Sequence, residues 1–190
     1  MSSRSGASSA RPGAGTLYRL DLDGTVTTVR DGLTVSNGIE WSPDGGTVYL
    51  ADSGPGLVYA FGYDPGSGAF SDQRVLLDFS RQDGVADGLT VDDEGCLWTA
   101  LWGGGQVRRW SPEGELLAVV DVPVPQVSSC AFAGPDLDLL VISTSAEGMS
   151  EEDQGTMPDA GRLFTVRPGV TGPAANPYRG RLEGLSQLLS

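Results

Sequence analysis

Ala86-Asp87-Gly88-Leu89-Thr90-Val91-Asp92-Asp93-Glu94-Gly95-Cys96-Leu97-Trp98-Thr99-Ala100 reads as strand, turn, strand. Leu89 and Val91 alternate with polar neighbours, Asp93-Glu94-Gly95 supplies a tight turn, and Cys96, Leu97, Trp98 and Ala100 form a second apolar run. Asp87 stands just before the first strand, followed by a glycine that lets backbone or ligand approach closely. The plan recurs upstream in Ser36-Asn37-Gly38-Ile39-Glu40-Trp41-Ser42-Pro43-Asp44-Gly45-Gly46-Thr47-Val48-Tyr49-Leu50. There Asn37 takes the place of Asp87, and Asp44-Gly45 that of Glu94-Gly95. Two oxygen-bearing side chains therefore stand at equivalent points of a repeat.

Further units extend the pattern on both sides. Thr16 to Asp21 and Thr25 to Val29 form a hairpin around Asp23-Gly24. Leu57 to Asp64 runs into Pro65-Gly66-Ser67-Gly68, and Arg74 to Phe79 returns. Gln106 to Trp110 turns at Ser111-Pro112-Glu113-Gly114 into Leu116 to Val122. A third unit starts at Ser128, continues through Leu139 to Ser143 and ends with Gly161 to Val166. A repeat of about 45 residues holding four short strands is the signature of β-propeller blades. The expected fold is all-β: an incomplete arc of three to four blades over residues 15–190, preceded by a flexible arm or loop over residues 1–14. The 28 glycines and 12 prolines, spread between short apolar runs, suit many strands joined by tight turns.

Composition removes several chemistries. The net charge of -13 argues against nucleic acid and anionic membranes as partners. It reads either as a soluble acidic surface or as a field that concentrates a cation. Without His or Lys there is no Ser-His-Asp or Cys-His catalysis, no H-E-x-x-H zinc site, no Schiff-base lysine and no P-loop. Cys96 and Cys130 lie far apart in apolar runs and read as buried free thiols. No run reaches transmembrane length, so a cytoplasmic location is the default expectation.

Asn37 and Asp87 offer hard oxygen donors suited to Ca²⁺, Mg²⁺ or Mn²⁺, and to Zn²⁺ less selectively. Both precede an inner strand, which in a propeller aims them at the axis. Asp87 is the candidate general base, since no His or Lys can serve. On local sequence alone, both read equally as turn residues bonding their own backbone. Trp41, Trp98, Trp102 and Trp110 could line a ligand site but fit blade packing better. Asp52-Ser53 fits a turn better than a ligand role. Glu147, Glu151, Glu152 and Asp153 read as a solvated acidic loop.

The set Gly15-Thr16-Leu17-Tyr18-Arg19-Leu20, Val35-Ser36-Asn37-Gly38-Ile39-Glu40-Trp41-Ser42, Ala86-Asp87-Gly88-Leu89, Gly95-Cys96-Leu97-Trp98, Gly104-Gly105-Gln106-Val107, Ser128-Ser129-Cys130-Ala131-Phe132 and Ala160-Gly161-Arg162-Leu163-Phe164 resembles the gluconolactonase, regucalcin (senescence marker protein) and luciferin-regenerating-enzyme family. The resemblance implies a six-bladed propeller holding a divalent metal (Ca, Mg, Mn or Zn) in its channel. It implies Asn37 and Asp87 as metal ligands and a small-molecule sugar lactone as substrate. The family's third ligand, a glutamate, and its sugar-contacting arginine and asparagine fall in sequence that precedes this chain. Only the C-terminal part of the family is covered. The resemblance therefore implies an N-terminally truncated metal-dependent lactone hydrolase, with Met1 as an internal start. The alternative is a non-catalytic propeller fragment that binds a cation or serves as an interaction module. An open blade edge also predicts self-association.

Overall fold

The structure, a computed structural model, describes residues 10–179. Most of the arm expected over residues 1–14 falls outside them, as does the end of the chain. Thirteen strands and one short helix follow one another: β1 Gly15–Leu20, β2 Val26–Leu33, β3 Ser36–Trp41, β4 Thr47–Asp52, β5 Leu57–Asp64, β6 Ala69–Asp78, β7 Val85–Val91, β8 Leu97–Trp102, β9 Gln106–Trp110, β10 Leu116–Asp121, β11 Val127–Ala133, β12 Leu139–Thr144, α1 Glu151–Thr156 and β13 Leu163–Val166.

All pairings within the sheets are antiparallel and sequential. β1-β2 is a hairpin, β3-β4-β5-β6 and β7-β8-β9-β10 are four-stranded, and β11-β12-β13 is three-stranded. The sheets form an open arc of propeller blades. Three of them begin with an inner strand, β3, β7 or β11. Two differences from the expected pattern stand out. Among the described residues the third blade has three strands, because after Val166 the chain leaves the sheet. The acidic loop contains α1, whose N-terminus is closed by a capping box: Ser150 Oγ accepts from the Asp153 N–H while the Asp153 carboxylate accepts from the Ser150 N–H.

One turn template builds four of the hairpins. Its fourth residue is Gly24, Gly45, Gly95 or Gly114, with φ of 89°, 71°, 82° and 92°. In each, that glycine N–H donates to the carbonyl of the first residue, Asp21, Ser42, Asp92 or Ser111, at 2.8–2.9 Å. A left-handed φ at that place is what selects glycine.

Strand burial follows position in the blade. Leu97 to Leu101 of β8 are all buried, which explains the unbroken apolar run, whereas most of outer strand β10 is exposed. Apolar side chains fill the spaces between sheets in three clusters. Tyr49, Val58 and Phe79 meet Leu89, Leu97 and Trp110 between the first two full blades. Trp98, Ala100 and Val107 meet Val127, Cys130 and Ile142 before the third blade. Leu33, Val48, Leu50 and Phe61 pack beside the β1-β2 hairpin. Among the described residues no helix is long and apolar enough to cross a membrane.

Beyond β13, residues 167–179 run back along the arc. Arg167 pairs with Asp138, and the Gly172 N–H donates to the Leu137 carbonyl at 2.9 Å. The Thr171 carbonyl accepts from the Asp93 N–H at 2.8 Å, and the Thr171 hydroxyl donates to the Asp93 carboxylate at 2.6 Å. Finally the Tyr178 hydroxyl donates to the Asp21 carbonyl, in the turn between β1 and β2, at 3.2 Å.

Candidate functional site

Each inner strand carries a bulge near its start. In β3 the register steps from Ser36 opposite Asp52 to Ile39 opposite Leu50, which leaves one extra residue at Asn37-Gly38. In β7 it steps from Ala86 opposite Leu101 to Leu89 opposite Thr99, with the extra residue at Asp87-Gly88. In β11 it steps from Val127 opposite Thr144 to Ser129 opposite Ser143, with Ser128 as the extra residue. A bulge re-aims a side chain and sharpens the local twist. Asn37 and Asp87 therefore lie inside their strands, at the bulge, rather than ahead of them.

The glycine after each lets neighbouring blades close on one another. A Cβ at Gly38 would stand 2.6 Å from the Leu89 nitrogen and 2.9 Å from the Asp87 carbonyl oxygen. A Cβ at Gly88 would stand 2.8 Å from the Cα of Ser129. Only glycine permits this backbone approach.

The close approach brings the two candidate ligands together. The Asn37 side chain hydrogen-bonds the Asp87 carboxylate. Burial pushes Asp87 up to about 6, with the Asn37 bond opposing part of that rise. Asn37 Nδ2 also donates to Ser53 Oγ at 3.1 Å. Ser53 Oγ in turn donates to the carbonyl of Ala86 at 2.5 Å. Asp52, just before it, is 2% exposed. Its carboxylate accepts from the N–H of Thr34 at 3.0 Å and of Val35 at 2.8 Å. Asp52 thus takes the turn-fixing role expected of it, while Ser53 reaches the site.

Other side chains are committed to structure. Asp92 is fully buried beneath its turn and accepts from Trp98 Nε1 at 2.9 Å and Arg109 Nε at 2.7 Å. Trp98 and Trp110 are buried, edge-on to Phe132 and Phe79, and Trp41 lies edge-on to Tyr63. Burial pushes the Cys130 thiol up to about 12, as an inert core thiol requires. Ser128, the register equivalent of Asn37 and Asp87, bonds Ser143 through their hydroxyls at 2.8 Å. Sequence reasoning assigned no site role to Ser128. Its signal was available in the alignment of Val127-Ser128-Ser129 with Ala86-Asp87-Gly88.

An amide oxygen and a carboxylate, half-buried side by side, fit a hard divalent cation in kind. Among the described residues no three His, Cys, Asp or Glu side chains cluster as a metal site. Two oxygen-bearing side chains are fewer than the six or so oxygens such ions take.

Sequential antiparallel sheets set in an open arc, with inner strands bulged at Asn37 and Asp87, define a propeller-like row of blades. The family model described as the SMP-30/Gluconolactonase/LRE-like region matches residues 2–146, and the chain belongs to that family. It is 39% identical over 162 residues to pentonolactonase XacC of Haloferax volcanii, a match covering 83% of this chain and 56% of the relative. It is 37% identical over 166 residues to regucalcin of Danio rerio, covering 86% and 56%. The solved structure of a calcium-binding protein, regucalcin, from Agrobacterium tumefaciens matches with a TM-score of 0.86 at 31% identity, covering 90% of this chain and 58% of that one. The chain thus spans a little over half the length of these relatives.

Proposed function

We propose that this chain carries the Asn37 and Asp87 donors of a divalent-metal site in a sugar-lactone hydrolase, acting in the cytoplasm. The remaining donors would come from water and from the lactone itself. The observation that carries the proposal is the pairing of the Asn37 amide with the Asp87 carboxylate across two adjacent bulged strands. The lactonase relative supports the substrate class, and the calcium-binding structural relative supports the ion.

When bound, the metal supplies a Lewis acid to the lactone carbonyl. The chain's own residues supply position and proton transfer. Asn37 holds Asp87 in place through its amide N–H. Asp87 takes a proton from water as the water oxygen bonds to the carbonyl carbon. The ring C–O bond then breaks, and the leaving oxygen takes up a proton to give the open hydroxy acid.

The test is acid release from a pentono- or gluconolactone by the 190-residue chain, with Ca²⁺, Mg²⁺, Mn²⁺ or Zn²⁺ and with a chelator. Metal-stimulated hydrolysis that falls at least about a hundredfold in Asp87→Ala is expected. Hydrolysis indifferent to chelator and to Asp87→Ala would overturn the proposal. Cation binding without hydrolysis would instead assign the non-catalytic module.

A further inference from the structure

We propose that residues 180–190, which follow directly on the described ones, dock their leucines in an apolar groove between the β1-β2 hairpin and the first full blade. The groove has a volume of about 280 Å³. Leu20 and Val29 wall it on the hairpin side, and Ile39, Trp41, Tyr63 and Phe70 on the blade side. Tyr63 stands edge-on to Trp41 and to Phe70, with ring centres 5.9 and 5.3 Å away. The one charged side chain in the wall is Arg19. Its guanidinium is already spent on the carbonyls of Ser67 and Gly68 and on the Asp21 carboxylate. Water filling such a space, roughly nine molecules, finds few partners there, so apolar side chains are the better occupants. The same hairpin leaves Tyr18, Leu22 and Val26 exposed.

The course of the chain chooses the occupant. The Tyr178 hydroxyl donates to the Asp21 carbonyl at 3.2 Å, and Asp21 follows Leu20 of the groove wall. The four residues from Tyr178 to Leu182 span at most about 14 Å, enough to bring Leu182 to the groove. Leu182, Leu185, Leu188 and Leu189 are three, three and one residues apart. That spacing puts apolar side chains on one helical face. Charges match as well: the turn holds Asp21 and Asp23, and the arriving chain holds Arg179 and Arg181. Groove and turn lie at the strand ends opposite the Asn37 and Asp87 bulges, so docking leaves the proposed metal site open. It also covers apolar surface that would otherwise invite a second chain.

The experiment uses the full 190-residue chain with labelled leucine methyls, in chelator. NMR cross-relaxation is expected between the methyls of Leu182, Leu185, Leu188 or Leu189 and the rings of Trp41, Tyr63 or Phe70. Replacing Leu182→Asp and Leu185→Asp together should abolish it and raise the fluorescence of an added anilinonaphthalene dye. In a mixture of labelled and unlabelled chains, the contact should stay within one chain. Contact between chains would overturn the proposal and make a second copy the occupant. No contact in wild type, with dye binding equal in wild type and variant, would overturn it and leave the groove vacant. If the double variant fails to fold, the presence or absence of the contact within the wild-type chain decides alone.

Discussion

Replacing Asp92 by alanine removes a carboxylate that is 0% exposed and serves four donors. Oδ1 accepts from the Glu94 N–H at 3.1 Å and the Cys96 N–H at 2.9 Å. Oδ2 accepts from Trp98 Nε1 at 2.9 Å and Arg109 Nε at 2.7 Å. The truncation strands a buried indole N–H, a buried backbone N–H and one face of a largely buried guanidinium. Arg109 retains Glu94 at 2.6 Å, but that carboxylate is 64% exposed and compensates weakly. Breaking a buried pair from one side costs about 3–5 kcal/mol, and the retained partner places this case near 4 kcal/mol. With a urea slope of about 2 kcal/mol/M, the midpoint should fall by roughly 2 M. Tryptophan fluorescence will report it, since Trp98 sits at the lesion. Arg109→Met should cost less, about 2 kcal/mol, because the carboxylate keeps three neutral donors. In the double variant the stranded charge disappears, so the two losses should fall short of their sum by more than about 1 kcal/mol. A midpoint shift in Asp92→Ala under about 0.5 M, or strict additivity, would refute the description of this cluster as one buried network.

Three further outcomes are expected. Burial raises Asp87 to about 6 from an unfolded value of about 3.9, so the folded state binds more protons between these values and stability falls as pH rises from about 4 to about 6. After discounting for partial exposure, the metal-free chain should be about 0.5–1 kcal/mol more stable at pH 5 than at pH 7. Asp87→Asn should flatten that slope to the part left by Glu40, also raised by burial; denaturant titrations at both pH values in chelator decide, and equal slopes in the two proteins would count against it. Gly38→Ala should lower the thermal midpoint, at a cost of roughly 1–3 kcal/mol, because its Cβ meets Leu89 and Asp87 backbone atoms; an unchanged midpoint would mean that the blades separate freely. Cys130, with its thiol pushed up to about 12, should resist a disulfide reagent at pH 8 until denaturant is added, and prompt labelling of the native chain would contradict its burial.

The hairpins were legible because their turns are local. The four-residue template ending in Gly24, Gly45, Gly95 and Gly114 needs no distant partner to be recognised. Asn37 and Asp87 were legible as equivalents within a repeat, and the fold brings them into contact. The bulges were not, because a bulge is a property of two strands in register and only the pairing with β4, β8 and β12 exposes it. Asp92 looked like one more turn residue. Its partners lie six and seventeen positions onward, on β8 and β9, and only sheet formation puts them over it. Ser53 reaches Asn37 and Ala86 across separations of 16 and 33 residues. The third blade reads as four-stranded from its length, yet the residues after Val166 spend their polar groups elsewhere.

Where those residues go changes how the arc should come apart. A row of blades that touch only their neighbours behaves as a quasi-one-dimensional array, in which an end unit can melt while the rest persists. Residues 167–179 add couplings of another order: Thr171 to Asp93 in the second full blade, and Tyr178 to Asp21 in the first hairpin. The last bond joins positions 157 residues apart in sequence. Loss of the first hairpin then also releases the Tyr178 end of the segment, and loss of the segment releases the turn above β8. The segment lays a second set of contacts over those between neighbouring blades, so that melting at one end of the arc is felt, by about one hydrogen bond, at the other.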